Sequence, residues 1–170
     1  MPASPEELFA YLDRLGIKHS TVTHPPLFTV EQSQALRGQI AGGHTKNLFL
    51  KDKKDALYLV TAPEDSTIEL KSLHRLLGAS GRFSFGSANL MMETLGVSPG
   101  AVTPLGVIND TAARITVVLD KTLMDNTVIN CHPLVNTMTT SIPREGLIAF
   151  LEATGHPPRI MPVSEPQKDD

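Results

Sequence analysis

A lysine set into an apolar strand is the feature of this chain best suited to chemistry. Gly42-Gly43-His44-Thr45-Lys46-Asn47 runs into Leu48-Phe49-Leu50, and the two-residue period of a strand puts Lys46 on the same face as Leu48 and Leu50. Such a cation either snorkels past the end of its strand or stands at the rim of a pocket, and pattern alone leaves the two readings level. Gly42 and Gly43 also have two readings, as backbone that lets a ligand approach closely or as plain turn residues. A second stretch, Gly96-Val97-Ser98-Pro99-Gly100-Ala101-Val102-Thr103-Pro104-Leu105-Gly106, holds three glycines and two prolines, which specify a loop tightly.

Other chemistries lack their residues. The six histidines are scattered, and only His19 and His24 lie close together, so no metal-ligand spacing is present. No nucleophile elbow accompanies a serine. Cys131 and His132 are neighbours in a strand and point to opposite faces, so the cysteine reads as a small buried apolar residue. Gly42-Gly43-His44-Thr45-Lys46 lacks the spacing of a dinucleotide or P-loop fingerprint. Neither metal nor cofactor is expected.

Bulk properties bound the rest. A chain of 170 residues, 41% hydrophobic and 19% charged, is long enough for one core without staples. The expectation is a single domain over 1–166 with a frayed tail over 167–170. A formal charge of -3 excludes a grip on nucleic acid through bulk electropositivity, so any RNA contact is a local patch and no DNA partner is expected. The single cysteine forms no internal disulfide, and nothing near the N-terminus reads as a signal or membrane span; the expectation is a cytoplasmic protein without a membrane partner.

The elements that would hold these residues follow from capping and periodicity. Ser4-Pro5-Glu6-Glu7 is a capping box with proline at the first helical position, and Leu8, Leu12 and Leu15 follow at helical spacing before Gly16. Lys18–Thr23 alternates as a strand, and His24-Pro25-Pro26 breaks it. Thr29–Leu36 reads as a short helix. Thr45–Leu50 and Ala56–Thr61 are apolar on both faces, as strands covered on two sides are, and the polar run from Lys51 to Asp55 joins them as a hairpin. Helices are predicted over Ile68–Leu77, Ser87–Leu95 and Pro143–Ala153. Further strands are predicted over Arg82–Phe85, Leu105–Ile108, Ile115–Leu119, Thr127–Asn130, Thr137–Ile142 and Arg159–Val163. This order is mixed rather than alternating, which argues against a doubly wound parallel sheet.

Four segments in order, His24-Pro25-Pro26, Gly42 to Leu50, Gly100-Ala101-Val102-Thr103-Pro104 and Asn130-Cys131-His132-Pro133-Leu134-Val135-Asn136-Thr137, resemble the YbaK and prolyl-tRNA synthetase insertion-domain superfamily. Within it the chain is most similar to the free-standing alanyl-tRNA(Pro) deacylases, and the resemblance runs from about Pro5 to Val163. It implies an α/β fold whose mixed, mostly antiparallel sheet curls into a partial barrel with flanking helices. It also implies a hydrolase acting on the ester of a mischarged tRNA. Lys46 matches the lysine on which activity in the family depends, and Asn47 would orient that lysine or the terminal adenosine. Gly100, Ala101, Val102, Thr103 and Pro104 match the loop against the aminoacyl group, while His132 and Asn136 fall in the segment that shapes the amino-acid pocket.

The chemistry such a site would need is modest. A synthetase pocket large enough for proline cannot exclude alanine sterically, since each missing methylene costs only about 1–3 kcal/mol, and a second, smaller site solves the problem by clash. Hydrolysis then needs a water, a donor for the developing oxyanion and a departing ribose oxygen, with no protein nucleophile. Backbone amides of the Gly100–Pro104 loop would meet the oxyanion, and Lys46 would hold a phosphate or ribose oxygen. Lys51, Lys53, Lys54 and Arg82 are candidate contacts for the acceptor end of tRNA(Pro), and prolyl-tRNA synthetase is a candidate partner. Release of another amino acid, cysteine or serine, and a noncatalytic module that holds an aminoacyl-tRNA or a synthetase stay open as alternatives.

Overall fold

The computed structural model describes residues 2–26 and 40–164. The predicted helix over Thr29–Leu36 and the tail lie outside the described residues. The first helix, α1 (Pro5–Arg14), begins with the reciprocal cap read from the sequence: Ser4 Oγ accepts from the Glu7 amide, and Glu7 accepts from the Ser4 amide. Its Leu8 and Leu12 are fully buried. β1 (Ser20–Thr23) follows, then the hairpin of β2 (Gly43–Lys51) and β3 (Leu57–Pro63). After these come α2 (Leu70–Leu77), β4 (Ser84–Phe85), α3 (Ala88–Leu95), two 3-10 helices at Pro99–Ala101 and Pro104–Asn109, and β5 (Ile115–Asp120). A 3-10 helix at Lys121–Asp125, β6 (Val128–Cys131), β7 (Met138–Pro143), α4 (Arg144–Ala153) and β8 (Arg159–Met161) complete the order.

The eight strands form one open sheet in the order β1-β7-β6-β2-β3-β5-β8, with β4 paired to β2. Four pairings are antiparallel (β1 with β7, β6 with β7, β2 with β3 and with β4), and three are parallel (β2 with β6, β3 with β5, β5 with β8). The sheet is therefore mixed and mostly antiparallel, with helices on both faces. One face packs Phe49, Leu57 and Leu59 against α1, α3 and α4 through Leu12, Leu95 and Phe150. The other packs Leu50, Tyr58 and Val60 against Leu73 and Leu77 of α2. That double covering is why β2 and β3 carry apolar residues without clean alternation.

One predicted strand is corrected. Leu105–Ile108 lies within the 3-10 helix Pro104–Asn109. Its β-branched residues suggested a strand, but Thr103 Oγ1 accepts from the Leu105 amide at 3.2 Å and Pro104 fixes the first helical position. Local capping overrides strand propensity here because the short helix buries Leu105 and Val107 completely without a neighbouring strand.

The hairpin tip is organised by Asp52. Its Oδ1 accepts from the amides of Lys54 and Ala56, each at 2.9 Å, and its Oδ2 from the Ser80 amide at 3.1 Å. Burial pushes this carboxyl up, but the three amides and the Lys54 charge outweigh it and hold the carboxyl below its ordinary 3.8. A depressed folded-state value means stability that is present above about pH 4 and lost as pH falls through the lower folded value. Asp52→Asn keeps one arm and turns an NH2 toward the Ser80 amide. We expect it to cost about 1–3 kcal/mol at neutral pH and to flatten the acid limb of the stability curve. Chemical denaturation across pH 2–7 checks this; an acid limb as steep as wild type's would refute it.

Candidate active site

The catalytic candidates lie on the first half of β2, on the turn between β6 and β7 and on the Gly100–Pro104 loop. β2 and β6 run parallel, with Gly43 opposite Ile129 and His44 opposite Asn130. Carried two residues past these pairs, the register sets Lys46 level with His132, which follows the end of β6, and strand alternation then gives both side chains the same face. This is the face away from Cys131, which packs in the cluster with Phe49. Gly42 and Gly43 make the close pairing possible. A Cβ on Gly42, whose φ is 109°, would lie 2.9 Å from the Val128 carbonyl oxygen, and one on Gly43 would lie 2.8 Å from the Asn126 side chain. Their missing side chains thus serve the approach of β6.

Lys46 is half-buried, and its ammonium donates to the Ser66 carbonyl in the turn that follows β3. Ser66 is fixed in that turn by its hydroxyl, which donates to the Pro63 carbonyl at 2.6 Å. An ammonium has three donors, so one bond to Ser66 leaves two for a ligand oxygen. Asn47, next along the strand, points to the opposite face. Its Nδ2 donates to the Val102 carbonyl at 3.0 Å, and its Oδ1 accepts from the buried Thr61 hydroxyl at 2.6 Å. The contacts of Asn47 are therefore with the Gly100–Pro104 loop and β3, and not with the ammonium of Lys46.

That loop is built from the short helix Pro99–Ala101 and the start of the next. Ala101 and Thr103 are buried, and the Ala101 amide is already bonded to the Ser98 carbonyl at 2.9 Å. Gly100 is exposed, and a Cβ there would stand 3.1 Å from Nδ2 of Asn136. Gly100 and Asn136 are thus brought together, and the loop reaches from the Asn47 face round to the β6–β7 turn. Val102 is partly buried against the core, and Pro104 is buried.

His132 donates from Nδ1 to the Met138 carbonyl at 3.1 Å, since a carbonyl only accepts. Its Nε2 has no hydrogen-bond partner among the described residues and is an acceptor in this tautomer. Burial holds its pKa below the ordinary value of 6.5; the Met138 bond pulls the other way and the nearby His24 adds to the depression. His132 is thus a neutral imidazole at neutral pH. The Cys131 thiol is pushed up to about 12 by burial, against the lowering effect of a Thr45 hydrogen bond, and is no nucleophile. No cluster of three metal-ligating side chains occurs among the described residues.

Lys51, Lys53 and Lys54 sit at the hairpin tip, about 16 Å or more along β2 from Lys46 at 3.3 Å per residue. Lys51 pairs with Asp55 at 3.6 Å, and the Lys53 stem covers Gly81, beside Arg82. The structure brings these four together at one end of the sheet and leaves them apart from Lys46. Sequence reasoning did not assign Ser66 or Thr61 to the site; their contacts with Lys46 and Asn47 cross between elements, and nothing local marks them.

The model of the aminoacyl-tRNA editing domain family matches residues 24–150, which contain every one of these candidates. The chain belongs to that family. The chain is 40% identical over 92% of its length to prolyl-tRNA synthetase associated domain-containing protein 1 of Danio rerio, covering 85% of that protein. It is 34% identical over 89% of its length to the prolyl-tRNA editing protein ProX of Acetoanaerobium sticklandii, covering 92% of it. A crystal structure described as a candidate trans-editing enzyme for prolyl tRNA synthetase shares the fold, with a TM-score of 0.73 at 20% identity over 98% of this chain and 99% of that one. No helix among the described residues is long and apolar enough to cross a membrane.

The tie between Asn47 and the loop gives a direct test of how the loop is held. In Asn47→Asp the Thr61 hydroxyl keeps its acceptor, while an oxygen replaces the donor that faces the Val102 carbonyl. We expect a stability loss of about 1–3 kcal/mol and a fall in deacylation of about ten- to a hundredfold as the loop shifts. Denaturation and a deacylation assay on the same sample check both; activity within twofold of wild type would show that this tie does not set the loop.

Proposed function

We propose that this chain removes alanine in trans from mischarged alanyl-tRNA(Pro), by ester hydrolysis at the rim formed by Lys46, His132 and Gly100. The observation that supports this reading is the parallel register of β2 and β6, which sets a cation and a neutral imidazole on one sheet face, with the exposed Gly100 beside Asn136 of the β6–β7 turn. The likeness to a prolyl-tRNA editing protein supports the choice of tRNA.

The free donors of Lys46 hold a ribose or phosphate oxygen of the terminal nucleotide and so fix the ester. The Gly100 amide, rather than the occupied Ala101 amide, meets the oxyanion as water attacks the carbonyl carbon. The adduct then collapses with cleavage of the bond to the ribose oxygen, which leaves with the proton given up by the water; losing one oxyanion donor costs about a hundred- to a thousandfold. Nε2 of His132 accepts from the α-ammonium of the amino acid. The partly buried Val102, backed by the buried Ala101 and Thr103, with Asn136 across from Gly100, forms the wall that admits alanine and excludes proline by clash. Lys51, Lys53, Lys54 and Arg82 meet acceptor-stem phosphates, which makes binding salt-sensitive.

A panel of tRNA(Pro) charged with alanine, cysteine, serine or proline tests the assignment under multiple turnover. Alanine is expected to be released fastest and proline spared. Release of cysteine or serine with alanine untouched would refute the amino-acid assignment, and failure to turn over any charged tRNA would refute hydrolysis.

A further inference from the structure

His24 takes no part in the chemistry described so far, yet both of its ring nitrogens are engaged beside the pocket. It stands at the end of β1, where Val22 lies opposite Thr139 of β7. His132 follows β6, in which Cys131 lies opposite Thr140, and the same register brings it beside Thr139. Residues opposite each other in a sheet share a face, and so do residues two apart in one strand, so His24, Thr139 and His132 project together.

The contacts are specific. The His24 amide donates to the Thr137 carbonyl at 2.8 Å, and its Nε2 lies 2.8 Å from the Thr139 hydroxyl. Its Nδ1 lies 2.8 Å from the Pro25 carbonyl, so that nitrogen carries the proton. Pro25 and Pro26 restrict the backbone after His24 and steady the ring. His24 therefore grips the residue before β7, Thr137, and β7 itself at Thr139. Between these two grips lies Met138, whose carbonyl is the partner among the described residues that sets the His132 tautomer.

We propose that His24, acting through Thr139, is a positioning residue for His132: it fixes the Met138 carbonyl and thereby leaves Nε2 of His132 bare toward the amino acid. The proposal rests on the reading of His132 as a pocket residue. His24 is not a catalytic residue, because each of its nitrogens already has a protein partner. The proximity of His24 to His132 has a second effect in the same direction, since a neighbouring imidazole disfavours a charge on His132.

The test compares wild type with His24→Ala, Thr139→Val and Thr139→Ser in the full chain. Nitrogen-15 NMR of the histidine rings reads the His132 tautomer in the free protein, and deacylation of alanyl-tRNA(Pro) gives kcat and KM. The expected result is a single Nδ1–H tautomer in wild type and Thr139→Ser, and mixed tautomers in His24→Ala and Thr139→Val with kcat lowered about tenfold. If His24→Ala does not fold, the two Thr139 variants decide. An unchanged His132 tautomer in Thr139→Val, or Thr139→Ser behaving like Thr139→Val, would overturn the proposal. Should wild type hydrolyse no charged tRNA, the proposed reaction fails on its own, and the tautomer comparison still decides whether His24 positions His132.

Discussion

Lys46→Ala is expected to lower kcat/KM for alanyl-tRNA(Pro) by about a hundredfold or more, the scale seen when a positioned charge or donor is lost from a transition state. The fold should survive. Lys46 is half-buried with its ammonium on a single backbone carbonyl in the Ser66 turn, so its removal exposes no buried partner charge and should change stability by about 0.5–1 kcal/mol. Lys46→Arg is not a conservative rescue, because a planar guanidinium presents a fork where the site holds a point charge between the Ser66 carbonyl and the ligand. Single-turnover deacylation beside thermal denaturation separates the two effects. A Lys46→Ala protein that folds and works at the wild-type rate would remove the lysine from the mechanism.

The largest loss of stability is expected at a residue outside the proposed pocket, Asp110. Its Oδ2 lies 2.8 Å from Nε2 of His156 and accepts from the Ile115 amide at 2.9 Å, and both side chains are buried. His156 is held from its other side by the Thr154 hydroxyl at 3.1 Å. The pair ties the end of the 3-10 helix Pro104–Asn109 to the C-terminal end of α4 and the start of β5. Asp110→Ala strands an imidazole nitrogen and a backbone amide in the interior, which costs about 3–5 kcal/mol when a buried pair is broken from one side. Urea unfolding measures it directly. A loss below about 1 kcal/mol would mean that water or a rearranged ring replaces the carboxylate.

Much of the architecture was legible because local rules and burial agree. The capping box at Ser4, the glycines that end α2 and α3, and the apolar runs on either side of the hairpin each carry their signal within a few residues. Where a local cap and a propensity disagreed, at Thr103-Pro104, propensity misread a 3-10 helix as a strand. The alternation that places Lys46 on the face of Leu48 and Leu50 was equally local.

What lay beyond the sequence is everything that depends on which strands meet. Alternation says that Lys46 and Asn47 face opposite ways, but only the register of β2 against β6 sets Lys46 on the His132 face, and only the packed loop gives Asn47 the Val102 carbonyl. The pair Gly42-Gly43 read equally well as a ligand cradle; the closeness of Val128 and Asn126 explains it as strand packing. The grip of His24 on Thr139 spans 115 residues of sequence, and that of His156 on Asp110 spans 46. The residue types and short-range periods of the chain determined its elements and named Lys46 as the cation to explain. The tertiary structure decided its company, because hydrogen bonds between distant segments leave no periodicity in the sequence that makes them.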